Sequence, residues 1–236
     1  VSALPKTISS QLSAAQLVIT NTLGNQAISY RLAARGYDAS TMAEGQRLCD
    51  AAKAAVDAQA AAAGAQRLAT EQARAAERKA RESYAGLVQT VRAVFSRNAP
   101  ERTALEVTRA TPYSSAAFIA AATTLFNNAL SIQPIAAVLA RYGYDAGALR
   151  SERDCVMAFQ QALQAQAQAK GAAKQATRVQ TEALAALHRW MAQYVKIARV
   201  ALRNEPALLK ALGITPQISR PTVQRSLAQE AHTQTA

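Results

Sequence analysis

Two histidines and two cysteines are the side chains of this 236-residue chain best suited to general-base, nucleophilic or metal-binding chemistry near neutral pH. His188 stands beside Arg189 and Trp190 in a basic helical stretch, and His232 stands near the C-terminal end. Neither has a carboxylate at the H-x-x-E or E-x-x-H spacing that places metal ligands on one helix face. No cluster of His, Cys, Asp and Glu has zinc spacing, and no phosphate-cradling glycine loop, nucleophile elbow or dinucleotide fingerprint occurs. Cys49 and Cys155 fall at nearly equivalent places early in two long helical stretches and read as small buried hydrophobes. Two cysteines are too few for a disulfide framework and suit a reducing compartment. The expectation is a protein without catalytic residues, metal or cofactor.

Charge offers a second kind of chemistry. The chain carries 27 Lys and Arg against 15 Asp and Glu, a net +12. Residues 1–107 hold 13 basic and 9 acidic side chains, net +4, and residues 108–214 hold 12 and 5, net +7. In the second stretch Lys170, Lys174 and Arg178 recur at i, i+4, i+8, one stripe of a helix. Lys196, Arg199 and Arg203 form another. Such stripes suit an anionic polymer, because each neutralised phosphate releases counterions. They equally suit acidic residues of a protein partner, or water. Aromatic residues that would stack on bases are scarce, at 5%. Glu71, Arg74, Glu77, Arg78 and Arg81 interleave at three- and four-residue spacing, as on a solvated helix face.

The elements that position these groups are helices. Alanine supplies 58 residues, while glycine and proline together supply 16, and no window alternates in the manner of a strand. Alanine buries little area, so helices rich in it need long close contacts or further partners. Gly36-Tyr37-Asp38-Ala39 recurs as Gly143-Tyr144-Asp145-Ala146, an offset of 107. At that offset Asn21 matches Asn128, Leu23 matches Leu130, Ile28 matches Ile135, and Gly64 matches Gly171. Near the close the offset is 106, pairing Arg97-Asn98-Ala99-Pro100 with Arg203-Asn204-Glu205-Pro206. The chain therefore reads as repeat 1 (residues 1–107), repeat 2 (108–214) and a polar tail (215–236) with a short helix at 223–231.

Each repeat reads as four helical pieces. The first spans about 8–35 and 115–142, with breaks near Gly24 and before Pro134. Gly36 and Gly143 end it in left-handed conformation, and Asp38 and Asp145 cap the next helix. Thr41-Met42-Ala43-Glu44 is a competing capping box. From there to Arg97 and Arg203 no proline intervenes; one long helix is favoured over a hairpin at Gly64 and Gly171, where the flanking alanines are poor turn formers. In that reading the two glycines let helix backbones approach closely. Asn98 and Asn204 cap a short last helix that has Pro100 or Pro206 in its first turn.

The stretch from Phe126-Asn127-Asn128 through Pro134-Ile135 to Arg141-Tyr142-Gly143, with Tyr194–Arg203 and Pro206–Gly213, resembles a group of uncharacterised bacterial proteins with duplicated alanine-rich helical units. Repeat 1 departs from that pattern at Ala27, where proline stands, and at Glu106, where glycine stands. The resemblance implies a fold and no activity.

The expected fold is all-α: two tandem pseudo-equivalent helical units with long antiparallel coiled-coil-like helices and bundle-like packing. The expected role is that of a self-associating structural protein, a homo-oligomer or polymer subunit, with nucleic acid or an acidic protein as the other kind of partner. Loss of Thr215–Ala236 is expected to weaken association and leave helicity intact. No apolar run reaches 18 residues and no signal peptide is visible, which points to the cytoplasm without a membrane span.

Overall fold

The computed structural model describes residues 7–97, 99–107 and 110–215. The described residues are all-α. The helices are α1 (Ile8–Gly24), α2 (Gln26–Ala33), α3 (Ala39–Val94), α4 (Pro100–Ala104), α5 (Ser115–Ser131), α6 (Gln133–Ala140), α7 (Ala146–Ala201) and α8 (Pro206–Ala211). The first four run 17, 8, 56 and 5 residues, and the next four run 17, 8, 56 and 6.

The boundaries follow from short polar signals. Asn25 separates α1 from α2, its Oδ1 accepting from the N–H groups of Ala27 (3.0 Å) and Ile28 (3.3 Å). Between α5 and α6, bent by 90°, Ile132 takes the cap position and Pro134 lies in the first turn of α6. Gly36 (φ +85°) and Gly143 (φ +87°) close α2 and α6. Tyr37 N–H reaches Leu32 O at 3.0 Å and Gly36 N–H reaches Ala33 O at 3.1 Å, the paired bonds of a Schellman cap. Tyr144 and Gly143 repeat them on Leu139 and Ala140. Asp38 Oδ1 then accepts from Thr41 N–H (2.9 Å) and Asp145 Oδ1 from Ala148 N–H (2.7 Å), so both aspartates cap as expected. The competing box at Thr41 does not form: the helix already starts at Ala39, and the Thr41 hydroxyl donates to Gly36 O at 3.0 Å.

Two expectations about the long helices separate. Both are continuous through Gly64 and Gly171. The reason assigned to those glycines is wrong, however, because a Cβ at either would meet no atom within 4 Å. Close approach happens instead at Gly45, against the Trp190 ring, and at Gly86, where a Cβ would lie 2.9 Å from the Tyr144 hydroxyl. The asparagine caps also need correction. Asn98 lies outside the described residues, and Asn204 precedes the cap position of α8, which Glu205 fills without a side-chain bond.

By contacts the chain divides into two compact units: unit 1, with described residues 7–55 and 180–215, and unit 2, residues 56–179 with the gaps above. Each takes the opening helices of one repeat and the closing helices of the other. In unit 1, Val18, Ile19, Ile28, Leu32, Met42 and Cys49 pack with Leu187, Tyr194, Leu202 and Leu212. In unit 2, Phe118, Phe126, Ile135, Leu139 and Phe159 pack with Tyr84, Leu87, Val91 and Leu105. Within each unit α3 and α7 run antiparallel, since early residues of one meet late residues of the other.

Candidate functional site

The two basic stripes fall in different units. Lys170, Lys174 and Arg178 lie on α7 within unit 2, all exposed. At 1.5 Å rise they stand about 6 Å apart along the axis and drift about 40° per step. Lys196, Arg199 and Arg203 belong to unit 1. Lys196 is exposed, whereas Arg199 is half-buried with its Nε enclosed and without a hydrogen-bond partner. Arg203 lies beyond the end of α7 at Ala201, in the turn before α8. The second triplet is therefore not a uniform exposed helical stripe, while the first is. From Gln160 to Thr215 the chain has eight basic residues and two acidic ones, Glu182 and Glu205. Glu205 is engaged by Arg31 at 2.9 Å.

The side chains with chemical potential sit as follows. His188 is exposed on α7, and His232 lies outside the described residues. Cys49 is fully buried; burial pushes its thiol up, and its Sγ lies 3.9 Å from Gln16 Oε1. Cys155 is half-buried, its Sγ donating to Ser151 O at 3.4 Å, and both cysteines are free thiols. Among the described residues no group of three His, Cys, Asp or Glu could hold a metal ion. The Asp38 carboxyl is held below its usual range by the bonds from Thr41 N–H and the Ser40 hydroxyl. That is the work of a helix cap.

Two grooves occur. One of about 470 Å³ in unit 1 is lined by Leu12, Ser13, Gln16, Leu17, Thr20, Asn21 and Lys53. In it Lys53 Nζ donates to Gln16 Oε1 at 2.6 Å. The other, of about 480 Å³ in unit 2, runs between Ala75, Ala76 and Lys79 on one side and Ser151, Asp154 and Cys155 on the other.

Several structural roles were not assigned from the sequence. Arg81, read there as part of a solvated face, is a binding residue of unit 2. It pairs with Glu77 at 2.9 Å, stacks over the Phe118 ring at 4.5 Å, and donates to the carbonyls of Pro112 (3.4 Å) and Tyr113 (3.1 Å). The matched asparagines also acquire a task. Asn21 Nδ2 donates to Ala211 O at 2.6 Å in unit 1, and Asn128 Nδ2 to Ala104 O at 2.7 Å in unit 2. Each satisfies a free carbonyl at the end of a short helix. Tyr37, buried, meets Trp190 and Tyr194 edge-on with centroids 6.0 and 5.3 Å apart. The repeat offset made these positions visible; their partners come from the other repeat and were not.

No single described helix is long and apolar enough to cross a membrane; the bent pair α5–α6 passes on composition and contributes Phe118, Phe126, Ile135 and Leu139 to the core of unit 2. No family model, curated protein or solved structure matches the chain.

Proposed function

We propose that the protein is a non-enzymatic structural protein that self-associates as the subunit of an oligomer, filament or shell. One observation carries the reading: each compact unit is completed by the opening helices of one repeat and the closing helices of the other. The contact between repeats is thus head-to-tail, and a contact of that kind joins equivalent repeats of neighbouring chains as readily as repeats of one chain. Large side chains left on the surface, among them Tyr30, Tyr113 and Tyr142, add apolar area for such contacts. The two free thiols suit a reducing, cytoplasmic setting, and the likeness to duplicated bacterial helical proteins belongs to the same reading. Negative-stain electron microscopy of nuclease-treated protein over a concentration series tests it. Regular polymers or closed particles are expected; monodisperse single-chain particles at every concentration would reject it.

A second reading, a binding module for DNA or RNA, has one specific support: the exposed triplet Lys170, Lys174 and Arg178 in a region poor in acidic residues. On this reading affinity falls steeply with salt, and reversing the three charges flattens that slope by about three counterions.

A further inference from the structure

We infer that the unit 1 groove along α1 is a docking site for the chain's own C-terminal segment, residues 216–220, with Ile218 as the anchoring side chain. The inference does not rest on self-association and stands for a single chain.

The argument begins where the described chain stops. Gly213 (φ +69°) closes α8 with the same paired bonds that close α2 and α6, Ile214 N–H to Leu209 O at 3.0 Å and Gly213 N–H to Lys210 O at 2.9 Å. This turn is pressed onto α1. A Cβ at Gly213 would stand 3.2 Å from Leu17 Cδ2, and Asn21 holds Ala211 O at 2.6 Å. Ile214 is buried in the core. The chain thus leaves unit 1 beside Leu17 and Asn21, two residues of the groove lining, and 21 residues follow Thr215.

The groove extends along α1 from Asn21 back to Leu12, nine residues or about 14 Å of helix. Four to five extended residues span that length at about 3.3 Å each. The residues available are Pro216, Gln217, Ile218, Ser219 and Arg220, among which Ile218 is the one large aliphatic side chain. It stands about 10 Å of extended chain beyond Thr215, within reach of Leu17 and Leu12. The polar lips, Ser13, Gln16, Thr20 and Asn21, offer donors and acceptors to an extended backbone.

A comparison inside the molecule supports the same occupant. At the 107-residue offset, Leu17 corresponds to Thr124 in unit 2, from which no 21-residue tail departs. The unit that carries the tail leaves a leucine 46% exposed at the exit, and the other unit has a threonine there. Unit 2 also shows that chain leaving this turn stays on its own unit: beyond Val107, the carbonyls of Pro112 and Tyr113 are held by Arg81. Because the tail starts at the groove, its effective concentration there is that of a very short linker, in the millimolar range or above.

Paramagnetic relaxation provides the test. A nitroxide is attached at Ser219→Cys in a full-length Cys155→Ser background, leaving only buried Cys49. Amide resonances of Ser13, Leu17 and Thr20 should lose most of their intensity when label and ¹⁵N are on the same chain. They should keep it in a mixture of labelled ¹⁴N chain with unlabelled ¹⁵N chain. Ile218→Asp, outside the helical core, should restore the same-chain signals. No broadening in the same-chain sample would overturn the inference. Broadening confined to the mixture would overturn it too, by assigning the groove to a second copy's tail.

Discussion

At the scale of single residues, the turn ending α4 shows what a side chain costs where glycine belongs. Glu106 has φ +56° and forms the same bonds as Gly213, its N–H reaching Thr103 O at 3.0 Å while Val107 N–H reaches Arg102 O at 3.1 Å. A Cβ in the left-handed region crowds the neighbouring carbonyl. Glu106→Gly should therefore stabilise the protein by about 1 kcal/mol in urea unfolding, and Gly213→Glu should destabilise it by at least that amount. Equal midpoints for Glu106→Gly and the parent would show that the turn is not strained. Tyr194 gives a pH-dependent case. It is fully buried, its hydroxyl 2.6 Å from the Thr22 hydroxyl, and burial pushes its pKa up to about 12 despite that bond. In the unfolded chain the phenol titrates near 10. Its contribution to stability is complete below about pH 10 and is lost as pH rises toward 12, because only the unfolded state ionises in that window. Tyr194→Phe should be less stable at neutral pH by about 1 kcal/mol, through the lost hydrogen bond, and should show a shallower decline in thermal midpoint from pH 10 to 12.

At the scale of elements, the long helices were legible because 56 residues without proline, bounded by Gly-Tyr-Asp-Ala and a later proline, leave little else for the chain to form. What the sequence could not rank was its glycines. Gly64 and Gly171 stand out in alignment yet meet nothing, whereas Gly45 and Gly86 have no glycine at the matching offset and receive aromatic side chains. Gly64→Ala and Gly171→Ala should each stabilise by about 0.5–1 kcal/mol, the helix-propensity difference with no contact to oppose it. Gly45→Ala should destabilise by about 1–3 kcal/mol, since Trp190 must move from its stacking on Tyr194. Circular dichroism melts of the three variants decide the matter. A destabilised Gly64→Ala would revive the crossing-point reading of that glycine.

At the scale of the whole molecule, the repeat and the compact unit are different objects. A repeat is contiguous in sequence, but a unit draws on both repeats. Residues 1–107 or 108–214 alone would expose the apolar faces of opening and closing helices at once. Expressed separately, each should be poorly helical or should pair with itself; mixed, they should form a 1:1 complex with recovered ellipticity, read by sedimentation and circular dichroism. Two fragments that fold as stable monomers would show that the repeats are self-sufficient, and would remove the main support for head-to-tail association.

By itself the sequence determined what depends on local physics: helix content, cap and break positions, and the duplication, because alanine propensity, aspartate caps and left-handed glycines act within a few residues. The two caps placed on Asp38 and Asp145 needed nothing else. Tertiary structure decided what depends on partners far away in the chain. It assigned Asn21 to Ala211 and Asn128 to Ala104, gave Tyr37 to Trp190 and Tyr194, turned Arg81 inward to hold a connecting segment, and split the basic stripes between two units. Periodicity shows which face of a helix is apolar, but two similar repeats have similar faces. Which repeat covers which is fixed by complementary shape, such as a tryptophan against a glycine, and that complementarity exists only once the helices have met.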